Sequence, residues 1–276
     1  MIIGTINAGV DMADTSRNIL VYNTEDILIN TVAARLLLRI SDLLTAQDRV
    51  DVALTGGTDG IAVLAAAAQS PLTAAIDFSR VHFWWGDERF VASDDGDRNA
   101  LQAREAWLNA LIDTGELPES NIHEMPTELR SPAEVEAAST DEHDEVLRAA
   151  ARDYQAQLER ELGVDGTLDI ALFGVGPDGH FASLFPGREE VRIEDESVKC
   201  IGVSNSPKMP PLRVSLTVPY IHKTDFVWVF ASGERKSEAI ARALYEPDNY
   251  HVPSSFARGT EETLWMLDKA AAANLA

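Results

Sequence analysis

Short, strongly apolar runs alternate with longer amphipathic ones along this chain, and that alternation restricts the fold more than any other feature. Ile19-Leu20-Val21-Tyr22, Val50-Asp51-Val52-Ala53-Leu54 and Val81-His82-Phe83-Trp84-Trp85 read as buried strands. Thr24 is placed as an N-cap ahead of Glu25 and Asp26, and Leu28, Val32, Leu36, Ile40 and Leu43 follow at helical spacing. Further helices are expected over residues 61–68, 99–111 and 146–162, and further strands over 168–173, 214–216, 226–230 and 264–267. Strands alternating with helices imply an α/β fold, a doubly wound, mainly parallel, Rossmann-like sheet with helices on both faces. No linker, repeat or composition shift divides the 276 residues, so one domain over 1–276 is expected.

In open sheets of this kind, ligands bind outside the carboxyl ends of the strands. Three glycine-bearing turns fall there: Thr55-Gly56-Gly57-Thr58-Asp59-Gly60, Gly86-Asp87-Glu88-Arg89 and Gly174-Val175-Gly176-Pro177-Asp178-Gly179-His180. Their shared position predicts one site. In the third turn, three glycines in six positions allow a sharp bend and close approach of backbone to ligand. Asp178 and His180 supply groups that handle protons near neutral pH. Gly56 and Gly57 expose backbone N–H groups at a helix start, where an anion could rest. A plain tight turn with Thr58 as N-cap fits that motif equally well. Asp59 disfavours an anion unless it turns away. Arg89 could grip a phosphate with two prongs or pair with Asp87 or Glu88. Lys208, Arg213, Lys236 and Arg188 are further candidate phosphate contacts, each also readable as a solvated surface charge. Lys236 has the added merit of lying in the first turn of a helix after Gly233.

Gly174, Gly176 and Gly179 also match G-x-G-x-x-G, but a dinucleotide site needs a long helix behind that fingerprint. Pro186-Gly187 would stop such a helix within two turns, so no nicotinamide dinucleotide is expected. The chain has no nucleophile elbow, Walker loop, H-E-x-x-H or cysteine pair, and no metal or other cofactor is expected. A formal net charge of −22 argues against nucleic acid and anionic membranes as partners. It leaves room for a small anionic substrate, because distant charges are screened beyond about 8 Å at physiological salt. The acid-rich stretch 128–145 is expected to be a solvated loop and helix start. No apolar run approaches the roughly 20 residues of a membrane span. The lone Cys200, and an N-terminus without the basic-then-apolar order of a leader, point to the cytoplasm.

Together, Leu54-Thr55-Gly56-Gly57, Trp85-Gly86-Asp87-Glu88-Arg89 with Asn99 downstream, and the turn from Gly174 to His180 continuing through Ala182-Ser183-Leu184-Phe185-Pro186-Gly187 resemble the 6-phosphogluconolactonase family. Arg213-Val214-Ser215-Leu216-Thr217 and Gly233-Glu234-Arg235-Lys236 extend the likeness in chain order. The resemblance implies a metal-free esterase of the pentose phosphate pathway acting on 6-phospho-D-glucono-1,5-lactone, as a monomer or small homo-oligomer. It implies His180 as general base, oriented by Asp178, with backbone N–H groups of the glycine turn as oxyanion donors. Arg89, Arg213 and Lys236 match the family's phosphate-facing positions, and Gly56, Gly57, Thr58 and Asn99 complete the substrate contacts.

Two positions depart from the pattern. Asp59-Gly60 follows Thr58 where the family usually has proline, and Arg98 stands where it has serine. Two alternative readings are an amino-sugar 6-phosphate isomerase or deaminase, which shares the fold, and a non-catalytic sugar-phosphate-binding protein. Deaminases continue past the histidine with Phe-Asn-Glu-Pro and prefer tyrosine at the Arg89 position, and both differences favour the lactonase. No appended DNA-binding segment accompanies the sensor reading.

Overall fold

The apolar runs become strands in a computed structural model that describes residues 2–6 and 17–275. The N-terminal stretch from Met1, read above for a leader, lies partly outside them. The strands are β1 (Ile2–Ile6), β2 (Arg17–Tyr22), β3 (Val50–Leu54), β4 (Val81–Trp85), β5 (Asp87–Arg89), β6 (Ile170–Phe173), β7 (Cys200–Val203), β8 (Arg213–Leu216), β9 (Phe226–Ala231) and β10 (Glu262–Asp268). The helices are α1 (Glu25–Ala46), α2 (Gly57–Gln69), α3 (Asn99–Ala103), α4 (Asn109–Asp113), α5 (Pro132–Ala137), α6 (Thr140–Leu162), α7 (Val218–Ile221) and α8 (Ser237–Tyr245). A π-turn over Arg104–Leu108 joins α3 to α4, giving the expected continuous helical stretch.

Seven strands form the main sheet in the order β1-β2-β10-β9-β6-β3-β4. All its pairings are parallel except β1 on β2, an antiparallel edge that the sequence reading did not include. Every residue of β3 and β6 is buried, and continuous apolar strands are what a parallel sheet covered on both faces requires. From β3 the chain moves outward to β4, then returns to β6 on the other side of β3 and winds away through β9 and β10. The winding direction therefore reverses between β3 and β6. At such a switch point a crevice opens beyond the strand ends.

The expected strand over 214–216 does not join this sheet. It is β8, the middle of a separate antiparallel sheet ordered β5-β8-β7. Only the nine residues 204–212, with no helix among them, join β7 to β8. A connection that short returns antiparallel, because a parallel partner needs a crossover of a dozen residues or more.

The helix ends follow local chemistry. The Thr24 hydroxyl accepts from Ile27 N at 3.3 Å, capping α1 as its sequence suggests. The acid-rich stretch is more organised than a solvated loop. Ser131 with Glu134, and Ser139 with Glu142, form capping boxes that start α5 and α6, so α6 begins earlier than the apolar spacing indicated. No helix among the described residues is long and apolar enough to cross a membrane.

One buried contact ties α6 to the edge of the main sheet. The Tyr154 hydroxyl accepts from Trp85 N at 2.9 Å and donates to Trp85 O at 3.2 Å. Tyr154→Phe should lower unfolding stability by about 1–3 kcal/mol, because it strands a buried N–H. An unchanged midpoint in chemical denaturation would show that this bond contributes nothing.

Candidate active site

Parallel register brings the three turns to one level. Leu54 pairs with Trp85 across β3 and β4, and Gly86 N donates to Leu54 O at 3.0 Å. β6 ends next door and runs into the glycine turn. A small pocket of about 130 Å³ opens there, lined by Gly56, Gly57, Thr58, Asp59, Arg89, Asn99, His180, Arg213 and Lys236 among others. Of the site residues expected from the sequence, Asp178 is not in that lining but sits directly behind His180, and the further candidates Lys208 and Arg188 also lie outside it.

The turn from Gly174 to His180 folds onto itself. Gly176 N donates to His180 O and Gly179 N to Gly176 O, each at 2.9 Å. Gly176 is required here, because a Cβ at that position would lie 2.1 Å from the His180 ring. His180 Nδ1 lies 2.5 Å from Asp178 Oδ1. An ionised carboxylate can only accept, so Nδ1 carries the hydrogen and Nε2 keeps its lone pair. Burial alone would raise the Asp178 carboxyl. The hydrogen bond from His180 and the charges of His180 and Lys208 outweigh it and hold Asp178 at about 2. Asp178 is therefore ionised throughout the working range. Lys208, a candidate phosphate contact or surface charge, lies 3.8 Å from Asp178 Oδ2.

Glu88 organises the second turn. It is fully buried, and its carboxylate accepts from Arg89 N at 2.8 Å, Asn99 N at 2.7 Å and Ala100 N at 2.8 Å. Burial pushes this carboxyl up to about 7, against the pull of Arg98 and the three N–H groups. The N-cap residue of α3 is Arg98, whose own side chain does not cap; Glu88 does so from the neighbouring strand. Arg98 is buried instead against Glu124 and the Met125 carbonyl, outside the pocket lining. Nothing in the sequence around Glu88 signals its burial, and this support was missed. Asn99 Nδ2 donates to Asp87 O at 2.9 Å. Its Oδ1 is buried without a partner against Gly56, where a Cβ would approach to 1.8 Å. Asp87 itself accepts from Ser183 Oγ at 2.6 Å and was another unassigned neighbour of the pocket.

At the first turn, Gly56 is the N-cap of α2 and offers no side-chain cap to the leading N–H groups. Thr58 lies inside the helix, so the alternative of Thr58 as N-cap does not hold. The basic residues differ in how they are engaged. Arg89 Nη1 donates to Asp97 O at 2.7 Å, while its Nε is buried without a partner. Arg213 clasps a loop, donating to the carbonyls of Pro210 at 2.7 Å, Met209 at 3.1 Å and Lys208 at 3.3 Å. Burial and the charge of Arg89, set against Asp87, bring the Arg213 guanidinium down to about 10, so it stays charged at neutral pH. Lys236 Nζ meets Asp59 Oδ2 at 2.7 Å. Arg188 is elsewhere, bonded to the carbonyls of Ser204 and Asn205.

A larger cavity of about 840 Å³ lies apart from these turns, between Val191 and Arg258. Its cations are already engaged, Arg258 with Asp248 at 2.7 Å, Lys223 with Glu196 at 3.0 Å, and Arg192 over the Tyr250 ring at 3.9 Å. Size favours that cavity, but convergent polar groups favour the smaller pocket. Among the described residues, no group of three or more His, Cys, Asp or Glu is placed to hold a metal ion.

Comparison with known proteins bears on the family and the fold. Residues 23–265 match the family model described as glucosamine-6-phosphate isomerases/6-phosphogluconolactonase. A 6-phosphogluconolactonase of Streptomyces coelicolor is 40% identical over 270 residues, covering 96% of each chain. One of Mycobacterium tuberculosis is 37% identical over 266 residues, covering 94% of this chain and 99% of the relative. The solved structure of a 6-phosphogluconolactonase from Trypanosoma cruzi superposes with a TM-score of 0.77 at 22% identity, over 95% of this chain and 98% of that one. That last likeness bears on the fold.

Proposed function

This chain belongs to the glucosamine-6-phosphate isomerase/6-phosphogluconolactonase family, and we propose that its three strand-end turns open 6-phospho-D-glucono-1,5-lactone with His180 as the general base. The activity is that of its curated relatives, the hydrolysis of 6-phosphogluconolactone to 6-phosphogluconate by a carboxylic ester hydrolase of the pentose phosphate pathway. We place the enzyme in the cytoplasm. The observation that carries the mechanism is the His180–Asp178 pair, with Nδ1 fixed and Nε2 left basic, in one pocket with Arg89 and Lys236.

The reaction runs in two steps. Water attacks the C1 carbonyl while His180 Nε2 takes its proton, and Asp178 stabilises the imidazolium that forms. The tetrahedral intermediate then expels the ring oxygen, which receives that proton to become the C5 hydroxyl. The carboxylic acid so formed releases its remaining proton to solvent, leaving a free carboxylate. Gly176 and Gly179 N–H are committed to bonds inside their own turn, so any oxyanion donor the glycine turn supplies is another of its N–H groups.

The phosphate belongs with the basic groups. Arg89 and Arg213 oppose each other directly in the β5–β8 register. Like charges so placed repel, and an anion between them relieves the repulsion. Arg213 contributes mainly charge and support of the 208–210 loop, whereas Arg89 and Lys236 are the direct contacts, together with N–H groups at the start of α2. Holding the phosphate fixes the lactone carbon against the base, which converts binding into orientation. The deaminase alternative shares the fold but lacks support in the residues that follow His180.

His180→Asn should lose roughly 10²–10⁴-fold in kcat after subtraction of spontaneous lactone opening. Near-normal turnover in a folded variant would move the base elsewhere. Because only neutral imidazole accepts a proton, kcat/KM should fall on acidification. Asp178→Asn removes the carboxylate that holds Nδ1–H, so it should lower kcat with little change in KM. Unchanged kcat would show that Asp178 does not act through His180.

Arg89→Ala and Lys236→Ala should raise KM for the phosphorylated lactone and change hydrolysis of unphosphorylated gluconolactone far less. Equal losses on both substrates would assign these residues to the fold.

A further inference from the structure

Asp59 is an anomaly in a pocket meant for an anion. It occupies the first turn of α2, directly after the residues that offer their N–H groups to the pocket, and it is only 6% exposed. Its carboxylate is spent on Ser232 and Lys236. Oδ2 accepts from Lys236 Nζ at 2.7 Å and from Ser232 N at 3.0 Å, and Oδ1 accepts from Ser232 Oγ at 2.7 Å. These three bonds hold the carboxylate against Lys236, whose side chain lines the pocket.

We infer that Asp59 sets the charge of the phosphate subsite, holding Lys236 in place while cancelling its charge, and so weakens the grip on the phosphate dianion. This rests on the phosphate reading above. Both the dianion and Asp59 draw on the same positive groups, namely the start of α2 and the Lys236 ammonium. A fixed negative charge one ammonium away from a bound anion repels it at partly buried dielectric, by an amount equivalent to roughly 3- to 30-fold in affinity. The product gives this a purpose. Hydrolysis leaves the phosphate intact and adds a carboxylate, so a subsite gripping the phosphate with its full charge would retain the product. Binding that is equal for bound reactant and transition state does not raise turnover. Asp59 makes the subsite selective for phosphate without making it a trap.

Calorimetric titration of the full chain with 6-phosphogluconate, at one fixed ionic strength, tests this. Asp59→Asn can keep the acceptor for Ser232 N while removing the charge, and should tighten binding roughly 3- to 30-fold. Asp59→Ser serves as a second neutral variant if the first does not fold. The gain should be absent for gluconate, which lacks the phosphate. Equal or weaker 6-phosphogluconate binding in a folded neutral variant overturns the proposal and leaves Asp59 only as a holder of Lys236. Wild-type protein that binds gluconate and 6-phosphogluconate equally defeats the phosphate subsite itself, and this proposal with it.

Discussion

The parallel ladder of β4, β3, β6 and β9 is the constraint on which everything at the site depends. Its register ends β3 beside β4, with Leu54 opposite Trp85, while β6 runs alongside β3 and β9. Turns that are far apart in sequence therefore leave the sheet at neighbouring points. The reversal of winding between β3 and β6 then leaves a crevice that no helix fills. Burial of the apolar strands stabilises this arrangement. The polar turns cost little because they lie where the sheet is open, and their own bonds hold them in shape.

Within that crevice, electrostatics is arranged by short contacts and not by net charge. The chain carries a formal charge of −22, yet Arg89, Arg213 and Lys236 share one small pocket. Each of the three is restrained by a different partner: the Asp97 carbonyl, the 208–210 carbonyls and the Asp59 carboxylate. Carbonyl partners fix a guanidinium without neutralising it, so Arg89 and Arg213 keep their charge for an anion. Asp59 both fixes and neutralises. The His180–Asp178 pair follows a similar logic, because Asp178 fixes the imidazole through Nδ1 and leaves Nε2 open, as the proposed general-base role requires.

Much of this was legible in the sequence. The six parallel strands stand out as apolar runs, and the position of three polar turns at their ends correctly anticipated one pocket. The antiparallel sheet was not legible. β5 is short and wholly polar, and β8 resembles any other buried strand until its short connection to β7 is taken into account. Long-range pairings were hidden for a different reason. Asp59 and Lys236 lie 177 residues apart, and only the folded chain shows that the awkward carboxylate is matched by a cation. Glu88 is similar, since an acidic residue in a charged turn gives no hint that three backbone N–H groups will bury it. Arg213 lines the pocket, but its carbonyl partners belong to a loop whose course the sequence does not announce.

A crystal structure with 6-phosphogluconate bound tests the central claim most directly. The C1 carboxylate should lie within hydrogen-bonding reach of His180 Nε2, with the phosphate against the start of α2, Arg89 and Lys236. Reversed binding, with the phosphate at His180, would contradict the account. So would a ligand seated in the larger cavity between Val191 and Arg258 while the three turns stay empty.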